Sequence, residues 1–181
     1  MKKKNGPWTI LGSAEKFKND FIEVVEDDVI QPDGQKGKYA TVKMTPGVCV
    51  LPVDDDERVY LVRQFRYAVG RESLEVIAGG IEGEEPLEAA RREAKEELGI
   101  EAEEWIELGA ADVETSIVNC PARFFVARKL KIGRPDREGS EEIETVTMNL
   151  KEAAEKVLSG EIRHALSALL ILKARHRLKE I

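Results

Sequence analysis

The sequence predicts the α/β class, a mixed β-sheet flanked by helices with a β-rich extension at the front, and three observations support it. Strand-like stretches dominate the front of the chain, one strongly helical stretch stands alone in the middle, and helical stretches close it. With no internal repeat and no linker, that order reads as one α/β domain over residues 46–181, preceded by a β-rich extension over residues 1–45.

Residues 21–30 are rich in β-branched and aromatic side chains, Pro32-Asp33-Gly34 supplies turn chemistry, and residues 38–45 are strand-like again, which predicts a β-hairpin. A further pair of strands is expected over residues 48–53 and 59–65, joined by the charged turn 54–57. Residues 73–78 read as another short strand, ended by Gly79-Gly80. Pro86 sits where a first helical turn accepts proline, and residues 87–98 are dense in Ala, Glu, Arg and Leu until Gly99 stops the helix. Strands follow over residues 105–113 and 123–131, separated by an irregular stretch containing Cys120-Pro121. A polar loop covers residues 133–140 and a strand residues 143–148; helices over residues 151–158 and 162–178, divided at Gly160, complete the chain.

Composition narrows the function. The chain has 181 residues, 42% of them hydrophobic and 35% charged, which excludes collagen-like, low-complexity and mostly disordered classes. Its net charge is −7, so nucleic acid is not the expected partner, and an anionic substrate would need metal ions or a local Arg cluster to overcome the repulsion. The two cysteines, Cys49 and Cys120, lack CxxC spacing, which fits a reduced cytoplasm rather than a disulfide framework or a zinc site. The residues after Lys2-Lys3-Lys4 are not an apolar run, so no signal peptide is expected, and residues 165–172 are too short to span a membrane.

The residues that carry chemistry lie in the segment AGGIEGEEPLEAARREAKEELGI, residues 78–100. On its helix Glu93, Glu96 and Glu97 project from neighbouring positions, and like charges at that spacing repel unless cations neutralise them. A row of carboxylates suits a hard divalent cation such as Mg²⁺, which prefers oxygen ligands and works beside phosphate groups. From these three residues alone, a solvated Glu-rich face partnered by Arg91, Arg92 and Lys95 is the competing reading.

Spacing changes that balance. Glu84, Arg92, Glu93, Glu96, Glu97 and Gly99 reproduce the ExxxxxxxRExxEExG core of the Nudix box, and the chain resembles a Nudix hydrolase, which implies an α/β/α sandwich. The family's leading Gly falls on Ala78 here, so the loop from Gly79 to Glu84 is one residue short; which of Glu82, Glu84 and Glu85 reaches the site is left open. Pro32-Asp33-Gly34, LVRQFRYAVG (residues 61–70), LEVIAGGIEG (residues 74–83) and the later EEIE and SGEI segments are similar to the ADP-ribose and nucleoside-diphosphate-sugar pyrophosphatase branch.

That resemblance implies metal ligation by Glu93, Glu97 and the Ala78 carbonyl, with Glu96 as a further ligand or water-ordering group and Mg²⁺ or Mn²⁺ as the ion. It implies that Arg92 holds a carboxylate of the box. Arg63 and Arg66 become candidates for the diphosphate and nucleotide, and Glu75 for a sugar or base contact. It places the general base on a loop before the last strand, which makes Glu141 the first choice and Glu142 the second. It further implies a homodimer built through residues 1–45. Many ADP-ribose pyrophosphatases carry Ser-Pro-Gly where this chain reads Thr115-Ser116-Ile117-Val118-Asn119-Cys120-Pro121, so the sugar is not specified.

The function expected is Mg²⁺-dependent hydrolysis of a nucleoside diphosphate sugar to a nucleoside monophosphate and a sugar phosphate. The alternatives are a Nudix hydrolase of a nucleoside triphosphate or dinucleoside polyphosphate, or a catalytically silent nucleotide-sensing module, against which the intact REAKEELG argues. A thiol mechanism at Cys120 has no accompanying catalytic His, since His164 and His176 fall in the C-terminal helical region. Trp8, Trp105, Phe124 and Phe125 are expected as core anchors.

Overall fold

The computed structural model describes residues 2–136 and 142–178. In chain order, the strands are β1 Lys3–Asn5, β2 Trp8–Lys18, β3 Ile22–Ile30, β4 Lys36–Met44, β5 Gly47–Pro52, β6 Arg58–Arg66, β7 Arg71–Glu75, β8 Ile77–Gly80, β9 Ile100–Asp112, β10 Val118–Asn119, β11 Pro121–Ile132 and β12 Glu144–Asn149. The helices are α1 Pro86–Leu98, α2 Leu150–Leu158 and α3 Ala165–Arg177. The chain divides into two units, Met1–Thr45 with Asp112–Cys120, and Pro46–Ala111 with Pro121–Ile181.

The first unit is a sheet in the order β1-β2-β3-β4-β10. β3 and β4 form the expected hairpin, in register from Ile22↔Met44 to Ile30↔Lys36. Its turn is made by Gly34 at φ 88° and by the Asp33 carboxylate, which accepts from the Gln35 amide at 2.9 Å. β2 is not legible as a strand because most of it is exposed and its pairing with β3 is twice irregular, which spoils any period-two pattern. β10 joins this sheet parallel to β4, and the Val42 amide donates to the Ile117 carbonyl at 2.8 Å. Among the described residues, Val29 is the single buried apolar side chain of this unit.

The second unit holds two sheets, in the orders β8-β5-β11-β9 and β12-β6-β7. The strands expected to pair over residues 48–53 and 59–65 part company instead. β5 is buried along almost its whole length, with β8 on one edge and β11 on the other, so β6 has no free edge to join and pairs with β7 and β12. A single bridge, Val53↔Val59, links the two. The strand expected over residues 73–78 is likewise two strands in different sheets. It breaks at Val76, whose amide donates to the Ser167 hydroxyl at 2.9 Å rather than to a neighbouring strand.

α1 lies on β8 and β5 through Ala89, Ala90 and Ala94, all fully buried, and small side chains there let the helix backbone come close. α2 and α3 cover the other cluster, centred on Leu51, Leu61, Phe124, Leu170 and Ile171. α3 begins at Ala165 rather than at Ile162, which is buried in the connection, and His164 holds the extended N-cap position. Phe124 and Phe125 are core residues, whereas Trp8 and Trp105 are only partly buried: Trp8 packs edge-on against Tyr39, and Trp105 lies under the Arg91 guanidinium.

Candidate active site

α1 starts with Pro86 after an extended Glu85 and ends at Gly99, whose φ of 66° is the left-handed stop that favours glycine. Within it, the helical period turns Glu93 and Glu97 inward, with side chains 12% and residue 5% exposed respectively, and leaves Glu96 outward at 40%. Gly79 on β8 makes room for the first of these. A Cβ on Gly79 would stand 1.9 Å from the Glu93 carboxyl carbon, so the Glu93 carboxylate is seated on the bare backbone next to Ala78. Sequence reasoning treated Gly79 as a strand end; its steric role depends on a helix that lies nearby only in the fold.

Arg92 organises the carboxylates. Its Nη1 donates to Glu93 at 2.7 Å and to Glu96 at 2.9 Å, and its Nη2 donates to Glu84 and to the Gly80 carbonyl, both at 2.9 Å. Burial works against the guanidinium's charge, but the bonds to Glu84, Glu93 and Glu96 more than offset it and hold the pKa above the ordinary arginine value. Of the three acids in the short loop, Glu84 is half-buried on Arg92, while Glu82 and Glu85 are exposed. Gly83, at φ 86°, turns the shortened loop so that Glu84 still reaches.

The donor set fits a hard divalent cation in its chemistry. Glu84, Glu93 and Glu96 share one guanidinium, Glu97 is buried on the same helix, every donor is oxygen, and the Ala78 carbonyl lies on the strand against which Glu93 packs. Among the described residues no three acidic side chains stand together as a ready-made metal cage, and Glu93 and Glu96 are bonded to Arg92.

The remaining candidates fall into two places. Arg66 and Glu75 are brought together: Arg66 Nη2 donates to Glu75 at 2.7 Å and its Nε at 3.2 Å, while Glu75 itself is only 3% exposed. Burial pushes the Glu75 carboxyl up, but Arg66, Ser73 and the nearby His164 bring it below the usual range. Arg63 is three residues from Arg66 on a regular strand and so points to the opposite face, where it pairs with Glu144 at 3.0 Å. Glu142 is exposed just before β12, and Glu141 lies outside the described residues.

His164 joins the Glu75 cluster, which sequence reasoning did not anticipate. Its Nδ1 is 2.8 Å from the Ser167 hydroxyl and 3.5 Å from Glu75, and burial lowers its pKa below the usual histidine value. No spacing in the sequence connects residues 75, 164 and 167; the juxtaposition is tertiary. Cys120 Sγ lies 3.4 Å from the Thr45 carbonyl, and burial pushes its thiol pKa up, which opposes a thiolate nucleophile.

Comparison with known proteins identifies the family. The family pattern described as NUDIX domain matches residues 43–169, and that described as nucleoside diphosphate sugar hydrolase N-terminal domain matches residues 8–42. An ADP-ribose pyrophosphatase of Bacillus subtilis (strain 168) is 32% identical over 164 residues, 89% of either chain. A GDP-mannose pyrophosphatase of Escherichia coli O1:K1 / APEC is 34% identical over 156 residues, covering 80% of this chain and 82% of its own. A solved structure described as an ADP compounds hydrolase superposes with a TM-score of 0.85 at 23% identity, over 98% of this chain and 97% of that one.

Proposed function

The chain belongs to the NUDIX domain family as a hydrolase acting on phosphorus anhydrides, and from that premise we propose that it is a Mg²⁺-dependent pyrophosphohydrolase of nucleoside diphosphate sugars. Its substrate is ADP-ribose or a related molecule, and the products are a nucleoside monophosphate and a sugar phosphate. The observation that carries this reading is the gathering of Glu84, Glu93 and Glu96 around Arg92, with Glu93 seated on Gly79 beside the Ala78 carbonyl.

In this reading Glu93, Glu97 and the Ala78 carbonyl hold the divalent ion, Mg²⁺ or Mn²⁺, with Glu96 as a further ligand or water-ordering group. Held there, the ion would neutralise the diphosphate and make water more acidic. Arg92 tethers Glu84, Glu93 and Glu96 and so limits how far each carboxylate can swing. Arg66, oriented by its bonds to Glu75, presents its charge to the substrate, and Glu75 accepts from a sugar hydroxyl or base. Arg63 serves the diphosphate from the other face of β6 only if Glu144 releases it. Glu141 takes the proton of the attacking water, with Glu142 as the second choice.

A panel of nucleotide sugars, nucleoside triphosphates and dinucleoside polyphosphates, assayed with Mg²⁺ and analysed by product mass in ¹⁸O water, tests the reading and identifies the phosphorus attacked. Release of a nucleoside monophosphate and a sugar phosphate supports it; hydrolysis confined to the triphosphates, or none, overturns it. Glu141→Gln is expected to lower kcat with little change in KM, because a base acts in the transition state. Damage confined to Glu142→Gln moves the base to Glu142.

A further inference from the structure

The β6–β7 hairpin and the residues that open α3 enclose a cleft of about 310 Å³, walled by Arg66, Arg71, Ser73, Glu75, Arg163 and His164. Three guanidinium groups meet a single carboxylate there, in a chain whose net charge is −7. Arg66 is engaged by Glu75, whereas among the described residues Arg71 and Arg163 form no ion pair. Arg71 is partly buried and stands opposite Arg66 on the β6–β7 ladder, an arrangement in which like charges repel. The cleft therefore carries about two positive charges in excess of what its own walls neutralise.

We propose that this cleft is a phosphate-monoester subsite, in which Arg71 and Arg163 clamp a phosphate group other than the scissile diphosphate. The charge selects the ligand. A phosphate monoester carries about −1.5 to −2 at pH 7 and three acceptor oxygens, which matches the surplus and suits the planar forks of two arginines. A carboxylate would neutralise one guanidinium, and a base or neutral sugar neither. The cleft also lies within reach of the candidate ion site, since only Val76 and Ile77 separate Glu75 from Ala78 and the three steps of chain span at most roughly 10 Å. Two sources of the group share this chemistry: a further phosphate carried by the nucleotide sugar itself, and a free phosphomonoester such as a sugar phosphate product. The first of these rests on the pyrophosphatase reading; binding as such does not.

The test begins with calorimetric titration of the full chain with inorganic phosphate, without added divalent ion, so that the carboxylate row repels the probe. Arg71→Gln and Arg163→Gln are each expected to weaken phosphate binding about tenfold, as loss of a charge-assisted hydrogen bond implies, with melting curves unchanged. Lys131→Gln, which removes the same charge elsewhere, is expected to leave binding as it was. Next, kcat/KM is compared for ADP-ribose and for ADP-ribose bearing a 2′-phosphate. A preference for the phosphorylated substrate that both variants lose identifies the substrate as the source. Equal rates, with phosphate inhibiting the wild type more strongly than the variants, identify a free phosphomonoester. Phosphate affinity that is undetectable in the wild type at about 10 mM, far weaker than typical ligand affinities, or that neither variant changes from the wild-type value, overturns the proposal. If neither nucleotide is hydrolysed, the pyrophosphatase reading fails while calorimetry still decides the cleft.

Discussion

At the scale of single residues, charge is arranged in two places with opposite logic. Around Arg92 acids outnumber the base, and around Arg66 the bases outnumber Glu75. Glu97→Gln keeps the shape of a buried side chain and removes its charge, so the fold is expected to persist while kcat drops roughly a hundredfold or more, as loss of charge stabilisation at a metal implies. Parallel melting and kcat measurements check this, and activity within a few-fold of the wild type would refute the assignment. Glu75 makes a prediction about pH. Its folded pKa lies below the ordinary value of 4.5, so the stability it contributes is present above the usual carboxylate range and is lost as pH falls through the lower, native value. Glu75→Gln is expected to cost about 1 kcal/mol at neutral pH, held down because the Arg66 side chain is 40% exposed and screened by water. The gap in melting temperature between the two proteins should then narrow as pH falls from the ordinary carboxylate value through the lower native one. A gap that does not change with pH would show that the Arg66 pair contributes nothing.

At the scale of elements, α1 is the most legible part of the chain because each of its signals is local: Pro86 at its start, Gly99 at its end, and a period that separates Ala89, Ala90 and Ala94 from the charged face. What α1 rests on was not legible. The close approach of Glu93 to β8 works only because Gly79 lacks a side chain. Gly79→Ala would push against the far end of a flexible side chain rather than against backbone, so Glu93 moves and the fold survives. A fall in melting temperature of no more than about 4 °C, the shift that 1 kcal/mol produces in a domain of this size, is expected together with at least a roughly tenfold loss of kcat, since displacement of a positioned group by an ångström costs that much or more. Unchanged activity would show that the seat of Glu93 is irrelevant to chemistry. The strands divided differently from their pattern for a related reason. Residues 48–53 and 59–65 flank a short charged turn as hairpin partners do, yet β5 already has a strand on either edge, and edge occupancy is not written in the residues of β5 itself.

At the scale of the whole molecule, the first unit cannot bury a core of its own. Val29 is its single buried apolar side chain among the described residues, while Phe17, Phe21 and Ile117 are 51%, 75% and 50% exposed. A twisted sheet with that much exposed apolar surface calls for a covering partner. A second copy of the chain is the proposed occupant, and light scattering should report about twice the chain mass of 20.2 kDa. Deleting residues 1–45 is a poor test, because β10 pairs with β4 and would be stranded. Phe21→Glu keeps the sheet intact. It is expected to weaken the dimer and the nucleotide affinity together without changing divalent-ion affinity, whereas a fully active wild-type monomer of single-chain mass would refute the dimer.

By itself the sequence determined the class of fold, the hairpin at Pro32-Asp33-Gly34, the position of α1 and the identity of the box carboxylates, because turn chemistry, helical period and motif spacing act over a few neighbouring residues. The tertiary structure alone decided which strands share a sheet, that Asp112–Cys120 folds with the N-terminal unit, that Glu84 rather than Glu82 or Glu85 meets Arg92, and that Arg66 and Arg63 lie on opposite faces of β6. Each of these depends on groups far apart in the chain competing for one edge, one cavity or one counter-charge. His164, Ser167 and Glu75 meet because α3 starts beside the break between β7 and β8, a place that no local pattern marks.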